Sequence, residues 1–113
     1  MERPITCTHC KSTYLHHFAV EVFHRSEDEE FGGRLFVATP GSTTDAPVGD
    51  DFRFDYESKH EMRGSLNPSS RRHGVLIEMI CEECNQITSL RIAQHKGETL
   101  LSIAQVGFVE GGA

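Results

Sequence analysis

Ile80-Cys81-Glu82-Glu83-Cys84-Asn85, together with Thr6-Cys7-Thr8-His9-Cys10-Lys11 near the start, holds all four cysteines of the chain. Two residues between cysteines let both sulfurs point into one tight turn, where successive backbone amides donate to the thiolates and stabilise their charge. Two such turns supply four ligands, enough to close a tetrahedral shell around zinc. A shared ion would tie the N-terminus to the C-terminal third of the chain. The expected ligands are Cys7, Cys10, Cys81 and Cys84, with zinc as the cofactor and iron as the alternative at the same sulfurs.

Working outward, Val75 to Ile80 is a nearly continuous apolar run into the second turn and Ile87 to His95 leaves it, which predicts strand, turn, strand. If Lys96-Gly97 is a two-residue turn, His95 faces Glu98 and the next hairpin is fixed residue by residue. Leu90 then lies opposite Ile103 and Ile92 opposite Leu101 on one face. Arg91 opposite Ser102 falls on the other, with Ala93 opposite Leu100 as the exception to the sorting. A helix over 98–106 is the competing reading.

These turns resemble the knuckles of zinc-ribbon proteins, in which each Cys-x-x-Cys sits at the end of a β-hairpin. The resemblance covers the two turns and their flanking strands and implies a structural metal site. The usual knuckle is Cys-Pro-x-Cys-Gly; here Lys11 and Asn85 stand where that glycine would be. Asn85 suits the left-handed backbone expected there and Lys11 suits it less. Residues 11 to 80 lie between the pairs, a longer insert than a ribbon commonly has.

With 113 residues, 37% hydrophobic and 8% aromatic, the chain is expected to be a single mainly β domain over 1–113. The architecture is a small antiparallel sheet or ribbon, stapled by the four-cysteine site and carrying long irregular loops. No stretch has the length of a membrane span and Met1-Glu2-Arg3-Pro4 has no apolar leader, so the expected place is the cytoplasm, where cysteines at this spacing are ligands rather than disulfides. The formal charge is −6, and four thiolates around a divalent ion would take it to about −8. That balance argues against broad electrostatic binding to nucleic acid.

Elsewhere, Phe18 to Phe23 reads as a strand broken by Glu21. The acidic run Glu27 to Glu30 reads as a solvated connection to a second strand, Arg34 to Ala38. Residues 39–50 and 58–74 read as loops and as candidates for mobility. Between them Phe52, Phe54 and Tyr56 alternate with Arg53, Asp55 and Glu57, a strand whose aromatic face is expected to be core, with a base-stacking platform as the alternative.

The loop Asn67-Pro68-Ser69-Ser70-Arg71-Arg72-His73-Gly74 is a candidate anion site: Ser69, Ser70, Arg71, Arg72 and His73 offer hydroxyls, guanidinium forks and an imidazole. Its competing reading is a loop whose arginines pair with the chain's own carboxylates. Of the seven histidines, His9 is nearest the expected metal but surplus to a complete shell, and adjacent His16 and His17 would point to opposite faces of a strand.

Function is therefore expected to be that of a small structural-zinc binding or adaptor module whose partner is another protein, with no membrane and with a homodimer conceivable through an open edge strand. Nucleic-acid or nucleotide binding through the Arg71/Arg72 loop is the alternative. Rubredoxin-like electron transfer or a zinc enzyme follows behind.

Overall fold

The computed structural model describes residues 3–38 and 53–108. They form one open antiparallel sheet: β1 (Leu15–His24), β2 (Phe31–Ala38), β3 (Arg53–Glu61), β4 (Gly74–Cys81), β5 (Gln86–His95) and β6 (Glu98–Phe108), in the order β3-β2-β1-β4-β5-β6. Two three-stranded meanders thus meet along a single seam, β1 against β4. No helix among the described residues is long and apolar enough to cross a membrane.

The β5–β6 hairpin has the expected register throughout its turn-proximal part: His95 opposite Glu98, Ala93 opposite Leu100, Ile92 opposite Leu101 and Leu90 opposite Ile103. Lys96 and Gly97 both take positive φ, 48° and 83°, the primed turn whose twist matches the strands. Residues 98–106 are therefore strand. The 58–74 segment differs from expectation at its start, because β3 continues to Glu61 through a bulge opposite Gly33. The remainder, 62–73, is irregular, while residues 39–50 and Phe52 lie outside the described part.

Alternation along each strand gives the sheet two unlike faces. Across all five pairings Phe54, Val37, Val20, Ile77, Leu90 and Ile103 line up as one apolar rung, and Tyr56, Leu35, Val22, Val75, Ile92 and Leu101 as the next. The rung between them, on the opposite face, reads Asp55, Phe36, Glu21, Leu76, Arg91 and Ser102.

Cover lies on the charged face. Phe18, Ala19 and Ala38 are buried there with Phe36, Ile80 and Ile87 against them. Met62, at the start of the 62–73 loop, packs on Phe23 and Leu76. Glu21 is buried with its Oε1 accepting from Arg34, while its Oε2 has no hydrogen-bond partner among the described residues. Among the described residues the apolar face is covered only at the cysteine end, where Met79 and Thr88 are buried. Phe54 and Tyr56, expected in the core, are 57% and 66% exposed: the strand is correct, but among the described residues the face it presents has no second layer.

Candidate metal centre

Cys81 is the last residue of β4 and Gln86 the first of β5, so the second Cys-x-x-Cys is itself the connection of a β-hairpin. Asn85 closes it, its N–H donating to the Cys81 carbonyl at 3.0 Å with φ at 59°. The first turn repeats the device: the Lys11 N–H donates to the Cys7 carbonyl at 3.0 Å with φ at 68°. Lysine thus occupies the left-handed position despite its unsuitability. The Cys7 N–H donates onward to the Ser12 carbonyl at 2.8 Å, folding the arm back on itself.

Two contacts hold the turns together. The Glu82 N–H donates to the Tyr14 carbonyl at 2.9 Å. The Thr8 N–H donates to Thr88 Oγ1 at 3.3 Å, and the two threonine hydroxyls lie 3.3 Å apart. Thr88 went unnoticed in the sequence, where nothing distinguishes it from any other strand threonine.

The four Sγ atoms lie within 4.8 Å of one another, with Cys7 3.5 Å from Cys84 and Cys10 3.5 Å from Cys81. Disulfide sulfurs sit at about 2.05 Å, whereas four sulfurs at ~2.3 Å around a tetrahedral ion are about 3.8 Å apart. The spacing is one at which the four sulfurs could hold a metal ion. Each close pair joins one turn to the other, so an ion here would cross-link the two halves of the sheet.

Electrostatics point the same way. Burial pushes the Cys7 thiol up, but the amides of Cys10 and His9 and the neighbouring thiols outweigh it, bringing Cys7 down to about 6. Burial, followed by the crowding of the other three cysteines, raises Cys84 to about 12. The Ser12 amide holds Cys10 down, yet desolvation and the Cys81 thiol raise it overall. Cys7 ionises readily while Cys10 and Cys84 resist; a divalent cation reverses that resistance by supplying the missing positive charge. His9 is exposed and stands outside the sulfur cluster.

The candidate anion loop lies at the far end of the seam, and its groups are turned toward the protein. Arg71 forks onto Asp28, Nε to Oδ1 at 3.0 Å and Nη2 to Oδ2 at 2.8 Å, and also meets Glu27. Arg72 pairs with Glu27 at 2.9 Å. Ser69 is buried, donating from Oγ to the Gln94 carbonyl at 2.8 Å and accepting from the amides of Arg71 and Arg72. The Ser70 carbonyl accepts from Arg25 Nη1, and His73 Nδ1 accepts from the Arg25 N–H while its ring stacks on His24.

Comparison of the chain with models of known protein families, with curated proteins and with solved structures returned no match to any of them.

Proposed function

We propose that this chain is a small β-sheet binding module held together by one structural zinc ion on Cys7, Cys10, Cys81 and Cys84, working in the cytoplasm with another protein as its partner. The observation that carries the reading is the cluster of four sulfurs at the head of the β1–β4 seam. Four thiolates complete a tetrahedral shell and leave no position for substrate or activated water, which favours support over catalysis. An exposed apolar sheet face is the kind of surface that marks protein–protein contacts, those between two copies of one chain included. The nucleic-acid alternative has less behind it, because both arginines of the 67–74 loop already spend their forks on Glu27 and Asp28.

Elemental analysis of protein purified without added metal, read together with the visible spectrum, tests this. One zinc per chain and no colour is the expected result, and Cys84→Ser should lose both the metal and much of the thermal stability. Iron with visible absorbance would replace zinc support by electron transfer. A Cys84→Ser protein with full zinc content and an unchanged Tm would overturn the reading.

A further inference from the structure

We infer that the apolar face of the sheet is covered by a second copy of this chain, giving a face-to-face β-sandwich dimer with the charged faces outward. Two uninterrupted six-residue rungs cross the whole sheet without one Asp, Glu, Lys or Arg. Antiparallel sheets ordinarily bury the apolar face and leave the charged one to water. Here the charged face carries the loop and both buried clusters, while Val22, Ile103 and Leu101 on the other are 38%, 45% and 65% exposed.

Size, charge and shape select the occupant. Six strands at about 4.8 Å and some 20–26 Å of strand length make roughly 600–750 Å² in projection. That is close to the ~800 Å² per partner of a standard stable interface, before corrugation is counted. A net charge of −6 would set two copies against each other if it lay between them. Glu21, Arg34, Glu57, Glu78 and Arg91 all sit on the opposite face, so stacking keeps them two sheets apart. Two rungs without a charge also offer a different partner little ionic code by which to be chosen.

The face is self-complementary as well. A hollow of about 280 Å³ lined by Val22, Leu35 and Tyr56 together with His24, Arg34 and Ser58 lies toward the β3 edge, and exposed Leu101 lies on β6 at the opposite edge. A two-fold axis parallel to the strands brings each over the other twice, as an isologous interface requires. The chain's own segment 39–52 is a poor substitute cover, since its sequence offers only Val48 and Phe52 as large apolar residues.

Sedimentation equilibrium of the metal-loaded protein tests the inference. The expected mass is twice 12.7 kDa, and Val22→Lys, in a central strand away from either edge, should return it to one chain with metal content and circular dichroism unchanged. Ser102→Lys, on the edge strand but the charged face, should remain dimeric. A monomeric wild type at tens of micromolar would overturn the proposal, and if deleting residues 42–49 then produced dimers, the cover would be that segment. A dimer that survives Val22→Lys but is lost in Ser102→Lys would assign association to the β6 edge and overturn it equally.

Discussion

Lys11 and Asn85 take the same left-handed backbone conformation, each one residue beyond the second cysteine of its turn and each donating its N–H to the carbonyl of the first. For an L-residue other than glycine this conformation costs roughly 1–2 kcal/mol, less for asparagine. Replacing Lys11 by glycine removes that cost, offset in part by the greater freedom of the unfolded chain. Lys11→Gly should gain about 0.5–1 kcal/mol in denaturant unfolding of the metal-loaded protein, with Asn85→Gly gaining less. Lys11→Val should lose stability, and a Lys11→Gly protein weaker than its parent would count against the strain.

Glu78 stands on the charged face beside the cleft formed by the 62–73 loop, and burial, then the nearby Glu21 carboxylate, raise its pKa despite Arg91. A carboxylate whose folded pKa is raised contributes stability below its unfolded value, and that contribution is lost as pH rises through the folded value. At neutral pH the charged form is therefore a burden. Glu78→Gln should melt higher than wild type at pH 7, and the gap should close as pH falls into the carboxylate range. A constant gap across that range would assign the gain to something other than ionisation.

Asp28 has the opposite sign. The hydrogen bonds from Arg71 hold its carboxyl below the usual value, with Arg71, Arg25 and Arg72 adding charge attraction. Its contribution is present above the unfolded pKa and is lost as pH falls through the lower folded one. Because the pair is exposed, Asp28→Asn should lower Tm by no more than a few degrees at pH 7 in low salt. The loss should shrink in high salt and vanish in acid. The same variant should leave the metal content intact, since the loop and the cysteine cluster occupy opposite ends of the seam.

The parts of this fold that were legible in the sequence are local ones. Lys96-Gly97 is a turn of two residues, and once its length is known every pair from His95–Glu98 to Leu90–Ile103 follows from counting. Cys7, Cys10, Cys81 and Cys84 were legible because the ligand chemistry is encoded in spacing. The β1–β4 seam was not, because its partners are far apart in the chain and neither strand's pattern specifies the other. Phe54 and Tyr56 announce an amphipathic strand, but alternation says only that two faces differ, and here both aromatics are exposed on the apolar one. Glu21 looked like an interruption of β1 until Arg34, on the neighbouring strand, supplied its counter-charge. The Ser69 hydroxyl accepts from the amides of its own loop, a role the sequence does not signal.

The order β3-β2-β1-β4-β5-β6 divides the chain at the 62–73 loop, and the division falls between the cysteine pairs: Cys7 and Cys10 travel with the first meander, Cys81 and Cys84 with the second. Each half has its own hairpins and half a ligand shell, and neither alone can close a tetrahedron. A chain cut between Gly64 and Leu66 would become two fragments whose reassociation is conditional on the ion. The seam would then behave as a rivet joint, open or shut according to the supply of metal rather than the continuity of the backbone.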